Sequence, residues 1–171
     1  MIRTVSALLL VLAAGCAGYS WRSSVPAEMR TVQVPVFRDA SGLTETGPVV
    51  TRQILREFQR EGTFRILRDG AALEIQGEVT AASAIGVNAD YKAGSRNHGG
   101  ELVLKAKVSV IDKRGGRVLV DNREYTGSAP YSAQQDNTTA FRDAAGRAAD
   151  DLAQRVVDDV LNLGYDVKTE K

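Results

Sequence analysis

The amino-acid sequence predicts an α+β fold: a two-layer sandwich in which two amphipathic helices pack on one face of a mixed, mostly antiparallel sheet of four to five strands. Three observations support this prediction. Two segments carry apolar residues every three or four positions, as an amphipathic helix does. Several shorter segments alternate apolar and polar residues, as a half-buried strand does. The order along the chain is strand, helix, four strands, helix, and the later strands are separated by turns typical of hairpins.

The first strand is predicted over residues 31–37, where alternating valines, the last of them Val36, fall on one face. Pro35 has no N–H to donate, so this segment should lie at an edge of the sheet or stop pairing at the proline. The polar residues 38–47 that follow are predicted to form a loop.

The first helix is predicted to begin at Gly47-Pro48, because proline suits the first turn of a helix. The buried stripe then follows at four-residue steps: Val50, Ile54 and Phe58. Gly62 is predicted to end the helix, since glycine readily adopts the left-handed conformation of a C′ residue.

Four strands are predicted next. Their ranges are 63–67, 73–80 with an extension to Ile85 left open, 102–110 and 117–126. The last two are joined by a hairpin turn over residues 112–116, so three neighbouring antiparallel strands are expected. Residues 127–135, which contain Pro130, are predicted to form a loop.

The last helix is predicted to begin at a polar cap within residues 136–138 and to stop at Gly164. Two pairs of aspartates, Asp150-Asp151 and Asp158-Asp159, lie largely outside its apolar stripe and are predicted to face solvent. The stripe itself follows three- and four-residue steps: Phe141, Ala145, Ala148, Leu152, Val156, Val160 and Leu163.

The N-terminus has the pattern of a bacterial lipoprotein signal. Arg3 is followed by residues 5–14, which are apolar or small except for Ser6, and then by a small residue and Cys16. The run has about half of the roughly 20 residues that a helix needs to cross a bilayer. We therefore predict cleavage before Cys16 and its acylation, although Ala13 occupies the position where such signals commonly have leucine. The alternative is an ordinary signal peptide that leaves Cys16 as a free thiol.

The predicted modification consists of an N-acyl group and an S-linked diacylglycerol, with palmitate-type chains, on Cys16. Each buried CH₂ contributes about 0.8 kcal/mol, so several chains give a stable anchor. No other cofactor is expected. Tyr19 and Trp21, just after the cysteine, either cap the edge of the core or lie against lipid headgroups or a barrel partner. The predicted organisation is a signal peptide at 1–15, an acylated arm at 16–30, a single domain at 31–164 and a tail at 165–171.

The net charge and the numbers of cysteines and histidines argue against several classes of function. The formal net charge is +1, whereas a nucleic-acid binder usually carries a marked basic excess, so no nucleic-acid partner is expected. Cys16 is the only cysteine, so no intramolecular disulfide can form. His98 is the only histidine, and the sequence has neither metal-ligand spacing of His and Cys nor a nucleophile motif. We predict a non-enzymatic protein without a metal; a hydrolase that uses His98 is the catalytic alternative.

Basic residues in two predicted loops indicate an anionic ligand. Lys113, Arg114 and Arg117 cluster at the predicted hairpin turn, and Lys92 and Arg96 lie in the glycine-containing loop before it. Cations displayed on loops suit the phosphate or carboxylate groups of a ligand. The alternative is an ordinary solvated turn.

The mature chain resembles the lipopolysaccharide-assembly lipoproteins of the LptE family over nearly all of residues 16–163. The resemblance implies two helices on a four-stranded sheet, which agrees with the fold predicted from the periodicities. The motifs that carry it are Cys16 followed by Gly18-Tyr19, then Val25-Pro26, Val32-Gln33-Val34-Pro35-Val36-Phe37, the helix ending in Phe58, and Leu73-Glu74-Ile75-Gln76-Gly77-Glu78-Val79.

The resemblance also implies a function. Members of the family sit as a plug in the lumen of LptD, the outer-membrane β-barrel that translocates lipopolysaccharide. They assist assembly of the barrel, help deliver lipopolysaccharide to the outer leaflet, and bind it through basic residues on loops. By position we assign that role to Lys113, Arg114 and Arg117, with Lys92 and Arg96 behind them.

The predicted location is the periplasmic face of the outer membrane, held by the lipid anchor. Ala17, the residue after the cysteine, is not the aspartate that favours inner-membrane retention in enterobacteria.

Residues 32–37 also resemble the strand that opens TolB-amino-terminal-like domains, which occur in lipoproteins that activate penicillin-binding proteins. Such lipoproteins usually have a longer linker after the cysteine, which lets them cross the periplasm. Here the strand begins about 15 residues after Cys16, a span of at most about 50 Å. This short reach favours a partner in the outer membrane, and the TolB-like module stays the alternative.

Overall fold

The computed structural model describes residues 25–43, 45–86, 99–132 and 137–165. These residues form one open six-stranded sheet with two helices on one face, which confirms the predicted α+β two-layer sandwich. A 3₁₀ turn precedes the sheet at Ala27–Met29. The strands are β1 (Thr31–Gln33), β2 (Arg38–Asp39), β3 (Arg65–Ile66), β4 (Leu73–Gly86), β5 (Gly99–Asp112) and β6 (Arg117–Ser132), and the helices are α1 (Thr46–Glu61) and α2 (Asn137–Leu161).

The long strands form an antiparallel meander, as predicted. The order in the sheet is β3-β1-β4-β5-β6, with β2 beside β4, and the three short strands all pair in parallel. The meander is longer than predicted: β4 reaches Gly86, and β6 continues to Ser132 through residues predicted as a loop. The loop prediction was wrong because β6 is an edge strand, where Pro130 can sit without costing a ladder hydrogen bond.

The first strand is shorter than predicted. It ends at Gln33, two residues before Pro35, and it lies between β3 and β4 rather than at an edge. After the proline the alternation shifts: Val36 is 68% exposed, and Phe37 takes the buried position. The predicted shared face of the valines is therefore wrong at Val36. The predicted loop at 38–47 also contains the short strand β2.

Helix α1 begins and ends close to the predicted residues. Its N-cap residue makes no side-chain cap bond; instead Asp39 accepts hydrogen bonds from the Gly47 amide at 3.1 Å and the Thr46 hydroxyl at 2.6 Å. At the other end Gly62 adopts φ +81° and its amide donates to the carbonyl of Phe58, which confirms the predicted C′ glycine.

The core lies between the sheet and the two helices. Helix α1 contacts β2, β3 and β4, whereas α2 contacts β5 and β6. The helices also touch each other, and Gln53 on α1 donates to the carbonyl of Gly146 on α2 at 3.1 Å. Helix α2 lies close to β6 at Gly127, where an added Cβ would lie 2.1 Å from the carbonyl oxygen of Ala148.

Two of the aspartates predicted to face solvent on α2 instead bind strand β6. Asp151 accepts a hydrogen bond from the amide of Ser128 at 3.1 Å. Asp159 accepts the hydroxyl of Tyr125 and forms an ion pair with Arg123. The solvent prediction was wrong for these two residues because they flank the apolar stripe closely enough to reach the edge strand.

Candidate functional site

The turn between β5 and β6 is built around the buried carboxylate of Asp112, which is 3% exposed. Its Oδ1 accepts hydrogen bonds from the amides of Arg114 at 3.0 Å and Gly115 at 3.2 Å. Gly116 follows with φ +63°, a conformation that favours glycine. The carboxylate therefore sets the shape of the turn on which the three predicted cations stand.

Lys113 is held against the sheet by a buried acid. Its Nζ lies 2.7 Å from Oε2 of Glu74, whose side chain is only 8% exposed. Glu74 also accepts hydrogen bonds from Gln33 and Gln76. Hydrogen bonding to Lys113 and then to Gln76 lowers the pKa of the Glu74 carboxyl below its ordinary value, so this acid stays charged.

The other two cations of the turn, Arg117 and Arg114, differ in whether they form an ion pair. Arg117 forms an ion pair with Asp112 at 3.4 Å, and about half of its side chain is exposed. Arg114 is exposed and has no carboxylate within 4.0 Å among the described residues. The structure thus brings the three predicted cations together, but two of them share their charge with buried carboxylates. Arg114 is the cation most available to an external anion.

Lys92 and Arg96 belong to residues 87–98, which lie outside the described part of the chain. Strand β5 runs the full way from Gly99 to Asp112, about 43 Å at ~3.3 Å per residue. Gly86 and Gly99, the described residues on either side of residues 87–98, lie at the opposite end of β5 from the turn. Five predicted functional residues lie outside the described residues: Cys16, Lys92, Arg96, Tyr19 and Trp21. His98, the catalytic alternative, also lies outside them.

The sheet face opposite the helices carries a row of alternating charges. Glu78 on β4 is paired in register with Lys107 on β5, which in turn is paired with Glu124 on β6. Lys105 forms an ion pair with Glu124 at 3.2 Å. Opposite charges on neighbouring strands stabilise a sheet and leave this face wetted by water. Within the described part of the chain, no element covers it.

The N-terminal arm enters the domain at the same end as the β5–β6 turn. Four hydrogen bonds of about 3 Å join this region. Within the arm and to β3, Arg30 Nε donates to the carbonyl of Val25, and the Arg65 amide donates to the carbonyl of Arg30. Towards the turn, the Ala72 amide donates to the Thr31 hydroxyl, and the Lys113 amide donates to the carbonyl of Ala72. Sequence reasoning did not single out Arg30 and Arg65, because their proximity depends on the parallel pairing of β1 with β3.

The described residues contain neither a metal-binding cluster nor a membrane-spanning helix. Over the ranges that the structure describes, no three His, Cys, Asp or Glu residues are grouped so that they could hold a metal ion. Among those same residues, no helix is long and apolar enough to cross a membrane.

Comparison with known proteins gives a family and a fold. A family model described as LptE, lipopolysaccharide-assembly, matches residues 29–160. No curated protein is similar enough to count as a match. A crystal structure from Xanthomonas campestris is 14% identical with a TM-score of 0.57 and covers 82% of this chain and 90% of its own. One from Chlamydia trachomatis is 11% identical with a TM-score of 0.53 and covers 79% and 97%. Both likenesses concern the fold alone.

Proposed function

Since this chain belongs to the LptE family of lipopolysaccharide-assembly proteins, we propose that it is an outer-membrane lipoprotein that plugs an LptD-like β-barrel. In this role it assists assembly of the barrel and helps deliver lipopolysaccharide to the outer leaflet. The family match confirms the resemblance drawn from the sequence motifs. The proposed role is one of binding and support, without catalysis.

The observation that carries the proposal is the match over residues 29–160, which spans the whole sheet and nearly all of both helices. The uncovered sheet face supports it. A face lined with Glu78, Lys107 and Glu124 suits contact with a water-filled lumen, whereas an apolar face would need an apolar partner surface that excludes water. The domain is proposed to fill such a lumen with this polar face and its loops.

The anchor is proposed to be the acylated Cys16. The described domain begins at Val25, so only a short arm separates it from the lipid. An extended arm of this length spans at most about 35 Å. The domain would thus stay close to the periplasmic face of the outer membrane, where a barrel partner is within reach.

The proposed contact with lipopolysaccharide lies at the β5–β6 turn. Arg114 would bind a lipid A phosphate directly, while Lys113 and Arg117, each already paired with a carboxylate, would add a weaker attraction. Lys92 and Arg96, which lie outside the described residues, stay part of the hypothesis. The cations would compete with the divalent ions that bridge lipopolysaccharide molecules.

The test of the proposed function is affinity purification of the acylated protein from outer membranes. We expect a large β-barrel to co-purify in a one-to-one ratio, and less of it with Cys16→Ser. Recovery of the acylated protein without a barrel would contradict the proposal. Recovery of a penicillin-binding protein instead would favour the TolB-like alternative.

The lipopolysaccharide site is tested by Arg114→Asp. Because this side chain makes no described ion pair, we expect the fold to be unaffected and lipopolysaccharide binding to weaken by about tenfold, as for loss of a charge-assisted hydrogen bond. The matched control is Arg142→Asp, an exposed arginine on α2. Binding by purified protein is the measurement, and equal affinities for the two variants would show that the turn is not the site.

A further inference from the structure

The end of the sheet where the arm enters displays a group of unpaired arginines. Arg30, Arg65 and Arg68 are all exposed, and none has a carboxylate within 4.0 Å among the described residues. Glu28 and Asp69 are neighbours along the chain, yet they form no ion pair with these arginines. We call Arg30, Arg65 and Arg68 the arm-end arginines.

Two of the arm-end arginines, Arg30 and Arg65, are fixed relative to the arm by hydrogen bonds to the main chain. Arg30 donates from Nε to the carbonyl of Val25 at 3.1 Å, and its own carbonyl accepts the amide of Arg65 at 2.8 Å. Val25 is itself 1% exposed and belongs to the core. The point at which the chain enters the domain is therefore rigid, and Arg30 and Arg65 stand beside it.

We propose that the arm-end arginines bind the anionic phospholipid headgroups of the leaflet that holds the acyl chains. The inference rests on the proposed lipid anchor, which brings this end of the sheet within about 35 Å of the membrane. Charge complementarity identifies the occupant: guanidinium groups form strong, often bidentate hydrogen bonds to phosphate. The opposite end of β5 lies about 43 Å further along the strand and would point away from the leaflet.

This contact would orient the domain. An acyl anchor alone does not fix the tilt of the domain, whereas several cations at one end favour the tilt that brings them to the surface. The strands would then run roughly along the membrane normal, and the polar face of the sheet would be roughly perpendicular to the membrane plane. That tilt would present the polar face to the lumen of a barrel embedded in the same membrane.

The experiment is co-flotation of the whole mature chain, residues 16–171, with vesicles. Cys16→Ser is present throughout so that no acyl chain contributes. Vesicles contain phosphatidylcholine alone or with 30% phosphatidylglycerol. We expect binding only to the phosphatidylglycerol vesicles, weaker at high salt, and about 25-fold weaker in Arg65→Gln/Arg68→Gln, since each of the two cations near an anionic surface strengthens binding by about fivefold.

The matched control is Arg52→Gln/Arg142→Gln, which removes the same charge from one exposed arginine on each helix. Its binding should equal that of the parent chain. Equal weakening of both variants, equal binding to both vesicle types, or no binding at all would overturn the inference. Lipopolysaccharide binding should be unchanged in Arg65→Gln/Arg68→Gln; its loss would identify a lipopolysaccharide site instead. Because neither the acyl anchor nor the barrel takes part, failure here leaves the co-purification test intact.

Discussion

The two halves of the sheet are stabilised differently. The anchor half contains β1, β2, β3, β4 up to Val79 and the parts of β5 and β6 beside them, and it packs against both α1 and α2. The far half comprises residues 83–86, 99–103 and 128–132, and its strands β5 and β6 pack against α2. The anchor half packs against the large buried side chains of α1. The far half contributes Ala129 to the main core and Leu102 to a small separate cluster with Ala144 and Ala145 of α2.

The outer edges of β6 and of β4 also differ in the groups that contact them. The edge strand β6 is capped from α2: Asp151 accepts the Ser128 amide, and Arg147 donates to the carbonyl of Pro130 at 2.6 Å. The outer edge of β4 pairs with β1 and β2 only as far as Val79, within the described residues, and Ile85 beyond it is 54% exposed. The difference shows that stability concentrates where two helices meet the sheet, and that the far part of β4 depends on β5 alone.

The largest expected effect is a cavity in the anchor half. Phe58 is fully buried and packs edge-on against Phe64 with ring centroids 5.3 Å apart. We expect Phe58→Ala to lower the free energy of unfolding by about 3–5 kcal/mol. Ile85→Ala, the control in the far half, should change it by less than about 0.5 kcal/mol. Urea unfolding measures both, and comparable losses would break the distinction between the halves.

A smaller effect is expected where α2 approaches the sheet. A Cβ at Gly127 would clash with the main chain of α2, so Gly127→Ala should cost about 1–3 kcal/mol. At Gly146, within helix α2, an added Cβ meets nothing within 4 Å. Gly146→Ala should therefore raise the free energy of unfolding by about 0.5–1 kcal/mol. Melting temperatures should therefore shift in opposite directions. A neutral Gly127→Ala would mean that α2 can move away from β6 without loss.

The smallest effect concerns Asp39, which caps α1 in the anchor half. Burial raises the pKa of this carboxyl, but hydrogen bonds from Ser41, Thr46 and Gly47 outweigh it and lower the pKa to about 2. Since the folded pKa is below the unfolded value of 3.8, the stabilisation is complete above about pH 4 and is lost as pH falls towards 2.

We therefore expect Asp39→Ala to cost about 1 kcal/mol at pH 7, as for loss of a helix cap, and less at pH 2. Thermal unfolding of both proteins across this pH range is the measurement. A cost that does not fall with pH would mean that the charge of Asp39 contributes nothing.

Local sequence patterns predicted the main helices and strands of this protein. The alternation at residues 73–80 and the four-residue steps up to Phe58 depend only on which faces are apolar, so the meander and α1 were predicted from the chain itself. Gly62 likewise ended the helix as predicted, because its conformation is a property of the residue. The motifs that indicated the family are local too.

The tertiary structure alone decided which distant groups meet. The pairing of Lys113 with Glu74 and the junction of Arg30 with Arg65 join residues far apart in the chain, and no local pattern specifies them. The contact of Asp151 with β6 is of the same kind. The physical reason is that periodicity reports the face of an element, whereas an ion pair or an edge cap depends on strand order, register and the length of β5.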